Sequence, residues 1–187
     1  MRDSTATRTR IAEVALGLFV EKGVDATGIR DIATGAGVAE GALYRHFAGK
    51  DALVWALFST NYYAFAAELD ALQQAHTGLS AKLAAMVEGF CALYDRQPTL
   101  FRFLLLAQHG QLAKVPDDAA TPVTVVRDVL AEAMARGEIG GEPDFATALV
   151  MGVVLQTATF HVYGRLQGPL CGRAAALAEA CRRVVGA

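Results

Sequence analysis

Side chains suited to recognition chemistry are concentrated between residues 40 and 50. Glu40 carries a carboxylate acceptor that suits the amino group of a cytosine base. Donors suited to phosphate oxygens follow at Tyr44, Arg45, His46 and Lys50. Such a mixture of one base-edge acceptor and several phosphate donors is typical of a surface that contacts duplex nucleic acid.

Small residues stand beside these polar groups. Gly41 and Ala42 add little bulk, so a helix that carries them brings its backbone close to base edges and to a thymine methyl group. The alternative is that this polar face is only solvated surface, and for Tyr44 or His46 taken singly that alternative is preferred. The complete set around one glycine turn favours DNA recognition.

Two short helices joined by a tight turn must position this set. Thr27 is predicted to cap the first helix, because its hydroxyl can accept a backbone N–H of the first turn. Its apolar face recurs at helical spacing as Ile29, Ile32, Ala33 and Ala36. Gly37 is placed to end that helix in a left-handed conformation, and Leu43 and Phe47 anchor a second helix from Glu40 to about His46. Helix, glycine turn and short helix form the helix-turn-helix pattern, whose second helix enters the major groove.

The run IRDIATGAGVAEGALYRHFAGKDAL, within residues Thr9 to Phe58, resembles the N-terminal domain of the tetracycline-repressor-like (TetR) family of one-component bacterial transcription regulators. The chain departs from that pattern at Ala39 and Gly49, where a hydroxyl cap is common. The first departure removes a cap that contributes about 1 kcal/mol, and the second costs only a few tenths. The DNA-contacting set is expected to comprise Thr27, Arg30, Glu40, Gly41, Ala42, Tyr44, Arg45, His46 and Lys50.

The resemblance implies an all-α fold of about nine helices. Residues 1–50 form the three-helix DNA-binding domain, and residues 51–187 form a larger helical domain for ligand binding and dimerisation. It further implies a ligand-responsive regulator, most simply a repressor released by a small apolar inducer. Such a protein is a homodimer through its last two helices and binds double-stranded DNA at a pseudo-palindromic operator.

The middle helices supply the candidate inducer pocket, since a mainly apolar space with a few polar groups is the usual small-molecule site. The predicted lining is Phe58, Asn61, Tyr62, Phe65, Met86, Phe90, Tyr94, Phe101, Leu105, Gln108, His109, Met151, Gln156 and Phe160. Aromatic and methionine side chains at helical spacing are more often plain core. The resemblance, rather than the spacing, favours a pocket.

Composition limits the other functions. The chain has 187 residues, is 53% hydrophobic and carries a formal net charge of −2, so affinity for DNA must come from a local basic patch. The candidates for that patch are Arg2, Arg8, Arg10, Arg45 and Lys50. Three cysteines without a CxxC motif indicate reduced thiols in the cytoplasm, although a redox-sensing role stays open. Isolated histidines argue against a metal site. We expect no catalytic constellation and no cofactor, and therefore no enzyme.

Two alternative functions arise from the same sequence. Residues Phe145 to Gly164 carry no formal charge and are long enough to cross a bilayer, which suggests a helical membrane-associated or adaptor protein. Against a span, this stretch contains threonine, glutamine and histidine, which are costly in lipid. The run GAGVAEG resembles a nucleotide-binding loop, but its spacing is G-x-G-x-x-x-G and no strand-like run precedes it.

Overall fold

The computed structural model describes the backbone of residues 2–187 and the side chains of residues 4–187, and it is all-helical over that range. Nine α-helices lie within the described chain, which confirms the predicted fold class. They are α1 (Arg2–Lys22), α2 (Ile29–Gly35), α3 (Glu40–His46), α4 (Lys50–Gln74), α5 (Leu79–Arg96), α6 (Pro98–Gln111), α7 (Pro122–Ala135), α8 (Pro143–Val162) and α9 (Ala174–Val185).

The chain divides into two compact units. The first consists of Met1–Asn61 and Thr99–Pro116, and the second consists of Tyr62–Pro98 and Asp117–Ala187. Helix α4 contributes its first half to one unit and its second half to the other. The functional division at residue 50 coincides with the first residue of α4 and stays a prediction.

In the first unit, α1 braces the two short helices. Its Ile11, Ala15 and Phe19 are buried, and the Phe19 ring stacks on Phe103 with ring centroids 5.9 Å apart. Leu43, the central residue of α3, is also fully buried. Burying a side chain of this size contributes about 1.5–3 kcal/mol, so α1 and α3 are held mainly by packing.

The turn between α2 and α3 is the one predicted. Gly37 has a φ of 63°, and the amide of Val38 donates to the carbonyl of Ala33 at 3.0 Å. This is the Schellman arrangement, in which a glycine in the left-handed region satisfies the last carbonyls of a helix. The chain can therefore reverse within four residues and begin α3 at Glu40.

The predicted cap of α2 is wrong. The N-cap is Gly28, whose amide donates to the carboxylate of Asp31 at 3.1 Å. Thr27 lies one residue earlier and is fully buried, with its hydroxyl 2.7 Å from the carbonyl of Gly23 and 3.3 Å from that of Leu18. Because the hydroxyl donates toward the end of α1, it closes the α1–α2 loop instead of capping α2.

The second unit is formed mainly by α5, α7, α8 and α9. Helix α5 buries Leu83, Val87 and Phe90. Helix α9 begins at Ala174, after a short 3-10 turn at Leu170–Arg173. At its end Val185 is buried, whereas Val184 is exposed.

Helix α8 is long and apolar enough to cross a membrane by length and composition, with a mean hydropathy of 1.6, and 28% of its apolar stretch is buried. It packs against α7 and α9 within its unit. Its Thr147, Thr157 and Thr159 hydroxyls each donate to the carbonyl four residues earlier, at 2.7 to 2.8 Å. Its buried positions are Ala146, Thr147, Val150, Val154 and Ala158, so one side of the helix belongs to the core and the other is exposed.

Candidate nucleic-acid interface and effector site

The exposed side of α3 carries the predicted DNA-contacting residues. Glu40, Gly41 and Arg45 are exposed, and Tyr44 keeps 52% of its surface accessible. Ala42 and His46 are half-buried. Ala39 occupies the N-cap position with extended backbone and no side-chain cap bond, so α3 begins without a cap. Packing through Leu43 must hold this short helix in place.

Arg30 and Glu40 form an ion pair across the turn between α2 and α3. The Nε of Arg30 donates to a carboxylate oxygen of Glu40 at 3.0 Å. Both side chains are open to solvent, at 87% and 45% of their surface. The sequence predicted both residues at the interface, but it did not predict that they contact each other.

Lys50 and Thr27 are placed differently from the prediction. The Nζ of Lys50 donates to the carbonyl of Val24 at 2.9 Å and to that of Asp25 at 3.3 Å. The ammonium therefore fastens the first residue of α4 to the α1–α2 loop. Thr27 is a buried residue of that loop. The Thr27 hydroxyl is used within the loop, whereas two carbonyls accept from the Lys50 ammonium, which has three N–H donors.

Arg8 has a structural role in the same region. Its Nη1 donates to the carbonyl of His46 at 2.7 Å, and its guanidinium lies 4.2 Å from the centroid of the Phe47 ring. This cation–π contact and hydrogen bond secure the last turn of α3. Arg10 is exposed, and the side chain of Arg2 lies outside the described residues.

A cavity of about 570 Å³ adjoins α1 and α3 and is lined by Ser4, Thr7, Val38, Ala39, Ala42, Arg45 and His46.

The predicted effector residues of the first unit are mainly core. Phe58 and Phe101 are buried. Asn61 is half-buried and donates to the carbonyl of Leu57 at 2.7 Å. Leu105 and Gln108 are half-buried, whereas His109 is exposed and is not part of an apolar interior.

In the second unit, four of the predicted effector residues are buried, one on α4 and three on α5. These are Phe65, Met86, Phe90 and Tyr94. The rings of Phe65 and Phe90 have centroids 6.3 Å apart, which is a tilted aromatic contact. Tyr62 is half-buried, and burial raises the pKa of its phenol despite a hydrogen bond with Thr121.

Two predicted pocket residues on α8 lie on the exposed side of that helix. Gln156 is exposed, and Phe160 keeps 46% of its surface accessible. Met151 is half-buried. Because α8 is apolar nearly all round, its sequence does not show which side faces the core.

His161 is a polar residue of the second unit that the sequence did not single out as a site residue. Its Nδ1 lies 2.8 Å from the Tyr94 hydroxyl, and its Nε2 lies 2.5 Å from the carbonyl of Gly168. A carbonyl only accepts, so Nε2 carries the proton, and Nδ1 of the neutral ring accepts from Tyr94. The two rings meet edge to face at 4.9 Å between centroids. This pair gives an otherwise apolar cluster one defined polar group.

A groove of about 560 Å³ in the second unit has a different character. Its acidic lining residues are Asp70, Asp117, Asp118, Asp128 and Glu132. Lys82 donates to Glu132 at 3.1 Å, and this bond is the leading cause of the lowered pKa of that carboxylate. An acidic, water-exposed groove does not match the predicted apolar inducer pocket.

The cysteine environments argue against a reactive thiolate. Burial raises the pKa of Cys91 to about 12 and that of Cys181 to about 11. Cys171 is exposed, and its hydrogen bond to Asp95 raises its pKa. Redox-sensing cysteines have lowered pKa values, so these thiols lack the property that the role requires.

Comparisons with known proteins agree with this architecture. Residues 11–57 match the family model described as bacterial regulatory proteins, tetR family. The repressor KstR2 of Mycobacterium tuberculosis is 49% identical over 47 residues, which are 25% of this chain and 24% of that protein. The chain therefore spans about a quarter of the length of that relative. The putative mycofactocin biosynthesis regulator MftR of the same species is 28% identical over 160 residues, 84% of this chain and 78% of that protein.

Solved structures share the whole fold at low sequence identity. The fatty acid degradation regulator FadR from Bacillus halodurans has a TM-score of 0.83 at 18% identity and covers 94% of both chains. The transcriptional regulator FadR from Bacillus subtilis, in complex with stearoyl-CoA, has a TM-score of 0.76 at 19% identity, covering 92% of this chain and 96% of that one.

The matched residues 11–57 contain the Gly37 turn and α3, the two features on which the helix-turn-helix geometry depends. The relatives that match this segment are transcriptional regulators. Through residues 11–57, the chain is similar to the bacterial regulatory proteins of the tetR family.

Proposed function

We propose that this protein is a ligand-responsive, sequence-specific DNA-binding regulator that acts as a repressor. One observation carries the proposal: α3 follows the left-handed Gly37 and exposes Glu40, Gly41, Tyr44 and Arg45 on one side. A helix of this kind fits the major groove, with its small residues nearest the base edges. The protein works in the cytoplasm, where cysteines stay reduced.

A homodimer through α8 and α9 would provide the second recognition helix. The exposed side of α8 presents Phe145, Ala148, Gly152 and Phe160, and α9 exposes Ala175 and Ala176 beside Val184. Small residues let two helices approach closely, and the exposed aromatic rings supply apolar area. Twofold symmetry then matches a pseudo-palindromic operator whose half-sites lie about one helical turn, roughly 34 Å, apart.

The effector in this proposal is a small apolar molecule with one polar group. The supporting residues are the buried aromatic cluster of Phe65 and Phe90 and the adjoining hydrogen-bonded pair of Tyr94 and His161. An effector acts by binding one conformation more tightly than the other and thereby shifting their populations. The structurally similar Bacillus subtilis FadR was solved in complex with stearoyl-CoA, so a long-chain fatty acid, which has an apolar chain and one polar group, is the first probe.

DNA binding is tested by gel shift against the DNA upstream of the protein's own coding sequence, over a series of salt concentrations. We expect one shifted band whose affinity falls steeply as salt rises. Arg45→Ala should reduce the salt slope by about 1, because one phosphate contact is lost. Arg136→Ala removes a surface arginine of the second unit and serves as the matched control. No band, or a band insensitive to salt, would refute the proposal.

Effector binding is tested with the single tryptophan, Trp55, which is half-buried on α4. Titration with stearic acid should change its fluorescence and release the protein from DNA at the same concentrations. Tyr94→Phe removes the hydroxyl that donates to His161 but keeps the ring, so it should weaken binding of effectors with a polar group. Release of DNA by every detergent-like molecule alike would contradict a specific effector site.

The membrane alternative for residues 145–164 is not favoured. The comparisons give regulators, and α8 packs against α7 and α9 on one side. Its other side is accounted for by the proposed dimer. Fractionation without detergent should recover the protein entirely in the soluble fraction, and recovery in membranes would reopen the alternative.

A further inference from the structure

Residues 164–173 form the loop between α8 and α9, including the 3-10 turn at Leu170–Arg173. Arg165 and Gln167 of this α8–α9 loop are exposed, whereas Leu170 is fully buried. A segment with few buried side chains opens locally at a lower free energy than the packed helices beside it. The closed position of the loop therefore depends on the groups that bind it.

Tyr94 and His161 form the first anchor of the α8–α9 loop. The Tyr94 hydroxyl donates to Nδ1 of His161 at 2.8 Å, and Nε2 of the same ring donates to the carbonyl of Gly168 at 2.5 Å. The imidazole thus joins α5 to the loop with both of its nitrogens. Which nitrogen of a neutral imidazole carries the proton is set by the bond that the other nitrogen makes. The bond to Gly168 therefore depends on the donor at Nδ1.

Asp95, the next residue of α5, forms the second anchor. Its carboxylate accepts from the amides of Leu170 and Cys171, both at 2.8 Å. The 3-10 turn that contains these amides packs against α5 and α9, and α9 begins at Ala174 directly after it. Two consecutive residues of α5 therefore hold the segment that leads into α9.

Tyr94 is the anchor that belongs to the proposed effector site. Phe90 lies about one helical turn before it on α5, and the Phe90 ring contacts Phe65 with centroids 6.3 Å apart. Asp95 lies roughly 100° further around the helix, since an α-helix has 3.6 residues per turn. An effector in the aromatic cluster is thus placed to compete for the Tyr94 hydroxyl, whereas the Asp95 bonds lie on another side of α5.

We propose that the α8–α9 loop is the element of the second unit that responds to effector, and that the Tyr94–His161 hydrogen bond keeps it closed. An effector with an acceptor oxygen accepts from the Tyr94 hydroxyl in place of His161. The imidazole then loses the partner that orients it, Gly168 is released, and the loop opens while Asp95 still holds its far end. Because α9 follows the loop directly, opening changes the start of a helix of the proposed dimer. This inference rests on the proposed effector site and the proposed dimer.

Effector and loop are coupled because they use the same proton. The hydroxyl of Tyr94 has a single O–H donor, so an effector bonded to it favours the open loop over the closed one. A typical hydrogen bond changes an equilibrium in a folded protein by roughly 2- to 13-fold. The expected response is therefore a graded shift in the population of the open loop rather than complete unfolding of the segment.

The test is amide hydrogen exchange of the intact protein, measured by mass spectrometry on peptides that cover residues 164–173. Saturation with stearic acid, judged by the fluorescence of Trp55, should speed exchange in the α8–α9 loop by roughly 2- to 13-fold. Exchange in α7, which contributes neither anchor, should stay unchanged and serves as the internal reference.

Tyr94→Phe removes the first anchor and keeps the buried ring, so the variant should stay folded. Its loop should exchange without effector as fast as that of the saturated wild type. Stearic acid, at concentrations that saturate the Trp55 signal of the variant, should add no further increase. Tyr63→Phe removes a half-buried hydroxyl of α4 and serves as the matched control, with the wild-type response.

Asp95→Asn distinguishes the sensing anchor from a merely structural one. Weakening the second anchor should also speed exchange in the α8–α9 loop, because the bonds to Leu170 and Cys171 become weaker. Stearic acid should nevertheless speed it further in this variant, since the Tyr94–His161 bond is intact. Loss of the effector response, rather than faster exchange alone, is therefore the signature of Tyr94.

Three results would overturn the inference in distinguishable ways. Saturation of the Trp55 signal and release of DNA with unchanged exchange in the loop would leave the proposed function intact and exclude the loop from it. A wild-type response to stearic acid in Tyr94→Phe would show that another group keeps the loop closed. A protein that shows neither a fluorescence change nor DNA release with stearic acid would refute the proposed effector, and this inference with it.

Discussion

Helices α3 and α8 each bury one side and expose the other, but the exposed sides have opposite chemistry. Around the buried Leu43, α3 exposes the charged side chains of Glu40 and Arg45 and the phenol of Tyr44. Opposite the buried Val150 and Val154, α8 exposes mainly small and aromatic apolar residues. A polar face suits a hydrated, charged partner, whereas an apolar face left in water is costly unless another protein surface covers it. The two helices thus suit the two partners of the proposed function, DNA for α3 and a second copy of the chain for α8.

Introducing a charged side chain on the exposed side of α8 should have the largest effect of the variants described here. Gly152 is exposed, and a side chain added there would meet no other residue within 4 Å of its Cβ. Gly152→Arg should leave the protomer folded but place a charge in the proposed dimer contact. We expect a monomer by analytical ultracentrifugation and a loss of DNA affinity of roughly 100-fold, because one recognition helix then binds without the second.

Ala67→Arg, at an exposed alanine of α4, is the matched control for that charge. It should leave both the oligomeric state and the affinity unchanged. A Gly152→Arg protein that stays dimeric would show that the apolar side of α8 serves some other partner.

Two glycines near α3 should respond in opposite directions to alanine. Gly37 has a φ of 63°, so Gly37→Ala should lower the free energy of unfolding by about 1–2 kcal/mol. Gly41 lies in α3 without a positive φ, so Gly41→Ala should raise it by up to about 1 kcal/mol. The added methyl group of Gly41→Ala should nevertheless weaken DNA binding, because it lies on the exposed side. Urea unfolding and gel shifts of both variants measure these effects, and equal changes in stability would contradict the assigned turn.

The 3-10 turn before α9 is tied to α5 by a carboxylate with a lowered pKa. Asp95 accepts from the amides of Leu170 and Cys171, both at 2.8 Å. Partial burial alone would raise the pKa of Asp95, but these donors and the Cys171 thiol lower it overall. A carboxyl whose folded pKa lies below its unfolded value of about 3.9 stabilises the fold above that pH and loses this contribution as pH falls through the folded pKa.

Asp95→Asn should therefore lower the free energy of unfolding at pH 7 by about 1 kcal/mol, a modest figure because solvent screens a half-buried group. The difference from the wild type should shrink as the pH is lowered below about 4. Thermal unfolding of both proteins from pH 3 to pH 7 measures the difference. A gap that is constant over this range would show that the loop is held by contacts other than the ionised carboxylate.

Restoring the missing N-cap of α3 should have the smallest effect on stability. Ala39 has the extended backbone of an N-cap without a side-chain bond, so Ala39→Ser should stabilise the protein by about 0.5–1 kcal/mol. Its melting temperature should rise by a few degrees, with DNA affinity equal or slightly higher. Ala48→Ser, at an exposed residue after α3, controls for the added hydroxyl.

The sequence predicted α3 to the residue because the signals that define it are local. Gly37 ends α2, and Leu43 and Phe47 are the apolar residues of the short segment that follows. The roles of Thr27 and Lys50 were not predictable, because both depend on backbone carbonyls of the α1–α2 loop. A threonine before a helix has the sequence pattern of an N-cap even when its hydroxyl bonds to the preceding loop instead of the helix.

The second unit was less predictable for a different reason. Helix α8 is apolar on every side, so its periodicity does not show that Val150 faces the core and Phe160 faces outward. The contact of Tyr94 with His161 joins residues 67 positions apart, and no local pattern announces it. Local sequence determines whether a helix forms. Which of its sides is buried depends on contacts with helices that are distant in the sequence.

The guanidinium of Arg8 stacks on the Phe47 ring and donates a hydrogen bond to the last carbonyl of α3, so α1 supports the proposed recognition helix directly. Transplanting α2 and α3 alone onto another scaffold would leave that final turn to fray. Binding assays on an isolated helix-turn-helix segment should therefore keep α1.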